Sequence, residues 1–265
     1  MSTAQNKPQS TQYDNIGKKY EKGFVMPAVE PEALSVIKAL GDVRGKRCLD
    51  LACGTGRYTH LLHTLGAASI HAFDISPAMI AAAQSSYPAE TYPNIRFAVA
   101  DCSKPLPLDQ PDGEANENFD IIFAGWFLNY AGTEEELEGM FRVIRSNLAE
   151  GGRFGGITTD VSDARMHLPK HDFYGIDVEV LNPEYRAPSS PLPSTSSTRV
   201  TFRDAGISFE CFQFKKEVYE RCAARAGMKL TWAELVLPED ERKEDGFWER
   251  WLERPTFSVV VGESA

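Results

Sequence analysis

The stretch CLDLACGTGRYT at residues 48–59 decides the fold predicted for this chain. A short apolar strand leads into the turn Gly54-Thr55-Gly56, and the residues after the turn are typical of a helix. Glycines at such a junction let backbone N–H groups approach a ligand closely. Asp74 and Asp101 end the next two predicted strands. A glycine turn alone would suit a structural role, but together with these acids it indicates a ligand site at one edge of a sheet.

The rest of the chain alternates strands and helices. Strands are predicted at 47–51, 69–73, 95–100, 119–124 and 153–159, and helices at 32–40, 58–65, 76–84 and 133–148. Nearly continuous apolar strands between helices favour a parallel sheet covered on both faces. Residues after 160 are rich in Pro, Ser and aromatics, and they predict short antiparallel strands at 178–181, 199–202 and 207–212. A helix at 215–226 and strands at 228–236 and 256–261 follow.

The composition excludes several classes of protein. The chain has 265 residues, and 28 Lys and Arg against 38 Asp and Glu give a formal net charge of −10. This balance argues against non-specific binding of nucleic acid. The first residues show no apolar signal-peptide core, and no apolar run approaches the ~18 residues of a membrane span. The five cysteines include no C-x-x-C pair. We therefore expect a cytoplasmic protein with reduced structural thiols, no metal and no membrane partner.

The residues around the glycine turn discriminate between possible ribose ligands. A dinucleotide fingerprint would place its third glycine at Thr59, and Asp50 would repel a pyrophosphate held by the turn. S-adenosylmethionine has no phosphate, and Asp50 suits its ammonium group, directly or through water. Asp74 suits the two ribose hydroxyls. Asp101 can accept a hydrogen bond from the adenine amino group, and the backbone of Cys102 can meet the ring edge.

The sequence Asp50-Leu-Ala-Cys-Gly54-Thr-Gly56, followed by Asp74 and Asp101, resembles the class I S-adenosylmethionine-dependent methyltransferases. The resemblance implies an α/β, Rossmann-like fold. Its seven-stranded sheet is mostly parallel with an antiparallel last strand and helices on both faces. It also implies S-adenosylmethionine as cofactor and S-adenosylhomocysteine as product. The cofactor site expected from it comprises Tyr13, Tyr20, Asp50, Ala52, Gly54, Gly56, Asp74, Ile75, Met79, Asp101, Cys102 and Ala124.

Two further segments, Tyr13–Tyr20 and Phe127–Ala131, are similar to small natural-product methyltransferases of the toxoflavin-biosynthesis type. In that group an aromatic N-terminal helix folds over the cofactor as a lid, which implies that Tyr13 and Tyr20 close the site here. Gly17 stands where alanine is common and weakens this helix. We divide the chain into an N-terminal tail and lid helix at 1–30, a cofactor-binding core at 31–160 and 214–265, and a substrate-covering insertion at 161–213.

The acceptor of such an enzyme should lie past the fourth strand, beneath the insertion. We assign acceptor binding to Trp126, Asn129, Tyr130, Phe173 and Tyr174. His167 and His171 are candidate general bases, because an imidazole titrates near neutral pH. DNA and glutamine amino-methyltransferases carry Asn/Asp-Pro-Pro-Tyr after the fourth strand, whereas this chain has Gly-Trp-Phe-Leu at 125–128. That difference argues against those acceptors.

The expected function is methyl transfer, by in-line displacement, to an oxygen or nitrogen of a small aromatic or apolar metabolite. Proximity and orientation would supply most of the acceleration. A cyclisation or other non-transfer reaction in the same fold is one alternative. A non-catalytic S-adenosylmethionine-binding protein is another, and RNA methylation is disfavoured by the acidic balance. The only partner expected is a small-molecule acceptor, without nucleic acid, and the chain is expected to be a monomer or homodimer.

Overall fold

Seven strands form one twisted sheet in the computed structural model, which describes residues 12–13, 25–108, 118–181 and 196–265. The strands are β1 (Arg47–Leu51), β2 (Ser69–Asp74), β3 (Ile95–Val99), β4 (Phe119–Gly125), β5 (Leu148–Thr158), β10 (Met228–Trp232) and β11 (Ser258–Ser264). Their spatial order is β10-β11-β5-β4-β1-β2-β3. β11 runs antiparallel to the other six strands of this sheet. The predicted seven-stranded fold with an antiparallel last strand is confirmed.

Helices cover both faces of this sheet, as the alternating pattern predicts. They are α1 (Glu30–Leu40), α2 (Arg57–Thr64), α3 (Pro77–Ser86), α4 (Glu134–Asn147), α5 (Lys216–Arg225) and α6 (Glu249–Glu253). Successive strand residues point to opposite faces. Leu49 and Ile122 therefore join a core cluster with α4 and α5, whereas Cys48 and Ile121 join another with α1 and α2. Both clusters are closed to solvent, which fixes the register of the parallel strands.

Two helix starts follow their predicted sequence signals. Ser76 precedes Pro77, and its Oγ accepts a hydrogen bond from the Met79 N–H at 3.3 Å. Thr133 Oγ1 accepts from the Glu136 N–H at 3.2 Å, as a helix cap of the Ser/Thr-x-x-Glu form should. Each cap satisfies a backbone donor that would otherwise lack a partner at the first helical turn.

The residues between β5 and α5 in the sequence form a second sheet. It contains β6 (Lys170–Phe173), β7 (Ile176–Val180), β8 (Ser196–Phe202) and β9 (Ile207–Gln213), all antiparallel in that order. The last three were predicted. β6 was not, because its sequence KHDF has no apolar alternation and its pairing with β7 is irregular.

The N-terminal residues in the described ranges contact this second sheet. The Gln12 amide donates to the Glu210 carbonyl at 3.2 Å and accepts from the Glu210 N–H at 3.0 Å, so it extends the edge of β9. Ala28 N–H donates to the Tyr174 carbonyl at 3.1 Å. The predicted tail and most of the lid helix, including Tyr20, lie outside the described residues. No helix within the described ranges has the length and apolar character needed to cross a membrane.

Replacing either of two glycines by alanine should change the free energy of unfolding in opposite directions. A Cβ at Gly155 of β5 would lie 2.5 Å from Leu40 Cδ2, whereas a Cβ at Gly139 of α4 would meet nothing within 4 Å. Gly155→Ala should therefore lower the free energy of unfolding by about 1–3 kcal/mol through overpacking. Gly139→Ala should raise it by about 0.5–1 kcal/mol through helix propensity. Urea denaturation measures both, and equal effects of the two changes would contradict this packing of α1 on β5.

Candidate functional site

The turn after β1 presents backbone to an open cavity. Ala52, Gly54 and Gly56 have φ values of 57°, 55° and 89°, in the left-handed region. The two glycines serve different ends. A Cβ at Gly54 would meet no atom within 4 Å, whereas one at Gly56 would lie 3.0 Å from the Tyr87 ring. Gly54 therefore leaves room for a ligand, and Gly56 leaves room for packing within the protein.

Asp74 ties this turn to the end of β2. Its Oδ2 accepts from the Gly54 N–H at 2.9 Å, and its Oδ1 accepts from the Ser76 N–H at 2.9 Å. The carboxylate is 8% exposed and lines the cavity. Among the described residues that line the cavity, Asp74 is present, whereas the other two predicted acids, Asp50 and Asp101, are not.

Asp50 lies behind the turn, fully buried and outside the cavity lining. Thr59 Oγ1 donates to Asp50 Oδ2 at 2.5 Å. Burial raises the pKa of Asp50 to about 7; the hydrogen bond from Thr59 opposes that shift and the charge of Asp74 adds to it. The charge of this carboxyl group therefore changes near neutral pH.

Asp101 is occupied by its own loop. Lys104 Nζ contacts its Oδ2 at 2.8 Å, and the Ser103 hydroxyl donates to its Oδ1 at 2.6 Å. Partial burial raises the pKa of Asp101, but these hydrogen bonds outweigh it and leave the pKa below its ordinary value. The cavity lining within the described residues does not include Asp101. The same holds for four other predicted cofactor residues, namely Gly56, Ile75, Cys102 and Ala124.

One cavity extends from the glycine turn to the second sheet. At the turn it is bounded by residues 52–55, Asp74 and Met79, and at the sheet by apolar side chains of β7, β8 and β9. Tyr13 and Tyr130 close one side, with their hydroxyl groups in contact and their rings 5.9 Å apart. The structure thus brings Tyr13, Ala52, Gly54, Asp74 and Met79 together with Trp126, Asn129 and Tyr130.

Trp126 is held in a strained backbone conformation between these two ends. Its φ is 65°, which is unusual for a bulky residue, and its N–H donates to the Ile157 carbonyl at 2.9 Å. Its side chain also makes a small contribution that lowers the pKa of Glu32. This arrangement turns the indole into the cavity directly after β4.

Glu32, Arg57 and Tyr58 line the cavity but were not predicted to do so. Glu32 is 3% exposed and accepts from the Tyr58 hydroxyl at 2.6 Å and from Arg57 Nη1 at 3.0 Å. Burial raises the pKa of Glu32, although these partners oppose the shift. A signal was present in the sequence, because Glu32 lies four residues before Val36 and eight before Leu40 on the buried face of α1.

Asn129 lines the cavity, but its side-chain amide is hydrogen-bonded to other residues of the protein. Its Nδ2 donates to Thr159 Oγ1 at 3.2 Å and to the Phe212 carbonyl at 3.0 Å, and its Oδ1 accepts from Thr158 Oγ1 at 3.0 Å. Asn129 therefore joins the loop after β4 to the end of β5 and to β9. The side chain fixes the cavity wall as well as facing it.

Four predicted residues of the insertion face elsewhere. Phe173 is 1% exposed within the core cluster of Trp248 and Trp251. Tyr174 stacks on Trp248 at 5.6 Å, and its hydroxyl donates to the Phe247 carbonyl. His167 and His171 are also outside the described cavity lining, and His171 is exposed. No helix or strand was predicted between residues 237 and 255, so the packing of Phe173 and Tyr174 against Trp248 was not expected from the sequence.

Comparison with known proteins shows that part of this chain is similar to methyltransferases. Residues 48–152 match the family model of a methyltransferase domain. A curated relative from Haemophilus influenzae, named as an uncharacterized protein, is 25% identical over 142 residues, or 52% of this chain. The chain spans about half (53%) of that relative's length.

Two solved structures share the fold over nearly the whole chain. The DhpI–SAM–HEP complex is 20% identical with a TM-score of 0.62, and the match covers 99% of this chain and 100% of the other. SAM-bound CalS10 from Micromonospora echinaspora, an amino pentose methyltransferase involved in calicheamicin biosynthesis, is 17% identical with a TM-score of 0.56. That match covers 94% of this chain and 96% of the other. The likeness to natural-product methyltransferases is thus confirmed for the fold, and residues 48–152 match the model of a methyltransferase domain.

Proposed function

We propose that this chain transfers a methyl group from S-adenosylmethionine to an oxygen or nitrogen of a small aromatic or apolar metabolite. The observation that carries the proposal is the single cavity, which has the glycine turn at one end and an apolar sheet face at the other. Donor and acceptor sites that share one cavity can hold two reactants in line.

The residues at the glycine turn fit the cofactor. Gly54 is open towards the cavity, and the Asp74 carboxylate beside it offers acceptor oxygens for ribose hydroxyls. Met79, on the first turn of α3, supplies an apolar surface for the adenine ring. S-adenosylmethionine, when bound, supplies a methyl group that is already activated on a sulfonium sulfur. The protein's task is then to bind, align and exclude water.

Alignment is assigned to the residues after β4. Trp126 and Tyr130 present aromatic surfaces to the middle of the cavity, and such faces attract cations. Asn129 and Thr158 fix the loop that carries them. Alignment and proximity alone can contribute about 7–11 kcal/mol in model reactions. A small acceptor is also consistent with the amino pentose substrate class of CalS10.

The direct test is turnover with a panel of small phenols, alcohols and amines. Equimolar formation of S-adenosylhomocysteine and a methylated product supports transfer. Cyclised or otherwise unmethylated products would favour a non-transfer reaction in the same fold. Cofactor binding without consumption across the panel would favour a binding protein.

Asp74→Ala should weaken S-adenosylmethionine binding by about tenfold or more, because hydrogen bonds to a charged group contribute about 1.5–3 kcal/mol. Isothermal titration calorimetry measures the dissociation constant. Asp42→Ala, which removes an exposed acid, is the matched control and should bind as the wild type does. An unchanged constant for Asp74→Ala would contradict the ribose assignment.

Asp50 should make cofactor affinity depend on pH. Its raised pKa of about 7 means that the ionised form, which attracts the cofactor ammonium, is lost as the pH falls through that value. Asp50→Asn is uncharged at every pH. The ratio of mutant to wild-type dissociation constants should therefore be larger at about pH 8 than at about pH 5.5. A ratio that does not change with pH would show that the charge of Asp50 is not used.

Neither His167 nor His171 is among the described residues that line the cavity, so we expect transfer without them. The double variant His167→Ala, His171→Ala should keep kcat within about twofold of the wild type, since a general base normally contributes about 100-fold or more. Initial rates of S-adenosylhomocysteine formation measure it. A loss of two orders of magnitude with unchanged cofactor affinity would restore a histidine as the base.

A further inference from the structure

Lys170 is a buried cation in the cavity that none of the predicted motifs includes. It lies on β6, is 5% exposed and lines the cavity. In the described part of the chain, Lys170 Nζ lies 5.9 Å from the centre of the Phe173 ring, and the positive charge of Arg254 acts on it. Neither is an anion. Within those residues Lys170 has no carboxylate partner and no hydrogen-bond acceptor.

A buried ammonium group without an anionic partner lowers the stability of the folded protein. Removing an ammonium group from water without a partner costs several kcal/mol, and buried lysines are normally paired with carboxylates. The chain has 38 acids, and the same cavity pairs its other cation, Arg57, with Glu32. Burial and the neighbouring Arg254 lower the pKa of Lys170 to about 8. At neutral pH most molecules still carry the charge.

Arg254 strengthens the positive potential at this end of the cavity. Its guanidinium donates to the carbonyls of Leu168 and Pro169, directly before Lys170. Its Nε is buried and has no hydrogen-bond partner within the described ranges. Two like charges that are held together without an acid form an electrostatic site for an anion.

Apart from Gln213 of β9, the other residues of the second sheet that line the cavity are apolar, aromatic or cysteine. Lys170 pairs with Val178, Val178 with Val200, and Val200 with Phe209, so the four residues form one cross-strand row. All four line the cavity. With strands about 4.8 Å apart, the row is about 14 Å long. It has an ammonium group at one end and apolar or aromatic side chains along the remainder.

We propose that the methyl acceptor is amphiphilic, with an aromatic or apolar body along the row Val178, Val200 and Phe209 and an oxyanion, such as a carboxylate or phosphate, bound to Lys170. This deepens the function proposed above and rests on it. The oxyanion supplies the missing partner of Lys170 and offsets the charge shared with Arg254. Neutral molecules of the same shape leave the ammonium unpaired and bind less well.

The experiment compares benzoate with benzamide, which has the same shape without the charge, on protein saturated with S-adenosylhomocysteine. Calorimetry should give the wild type at least an approximately tenfold preference for benzoate, since charge-assisted pairs contribute about 1.5–3 kcal/mol. Lys170→Met should lose the preference. Lys229→Met removes an exposed lysine of β10 as the matched control and should keep it.

Equal affinity of the wild type for the two probes, or no benzoate binding, overturns the proposal even if Lys170→Met does not fold. A preference that persists in folded Lys170→Met overturns it as well. S-adenosylhomocysteine binding is measured first and separately. Its failure contradicts the proposed function, whereas normal binding of S-adenosylhomocysteine with no oxyanion preference contradicts only the assignment of Lys170.

Discussion

The Asp74 carboxylate is the contact on which the site depends. It accepts one backbone N–H from the turn after β1 and one from the start of α3, and so joins the carboxyl ends of two parallel strands. The turn has three residues at positive φ, and an unsupported backbone of this kind has many other conformations. Because the same carboxylate borders the cavity, the group that shapes the turn also faces the proposed ligand.

The cavity wall assigned to the proposed acceptor is held by contacts between distant parts of the chain. Asn129 links the loop after β4 to β5 and β9, while Glu32 of α1 holds Arg57 and Tyr58. Trp126, with its strained backbone, lines the same cavity. These hydrogen bonds are buried, where an unmade bond costs more than a made one contributes, so they favour a single arrangement of the walls.

The sequence predicted the fold well because the fold depends on local signals. Apolar strands, the glycine turn and the helix cap at Ser76 each lie within a few residues, and they placed β1 and the start of α3 correctly. The antiparallel direction of the last strand was expected from the resemblance to methyltransferases and not from such local signals. The site was predicted less completely because ligand-facing positions depend on tertiary packing. Asp74 faces the cavity, while Asp50 lies behind it and Asp101 is held by Lys104. The sequence did not predict a role for Lys170, because that role depends on the burial of its side chain. A strand of four residues has no pattern that predicts burial.

The net charge of the protein does not describe the charged residues inside its cavity. The chain as a whole has a net charge of −10, whereas the cavity has the acid Asp74 beside the glycine turn and the cation Lys170 at the second sheet. A crystal structure of the complex with S-adenosylhomocysteine tests the central claim, that one cavity serves both reactants. The account predicts ribose density within hydrogen-bond distance of Asp74 and the sulfur atom directed towards Trp126. Density for the nucleoside elsewhere, or a sulfur atom directed away from the second sheet, would contradict it.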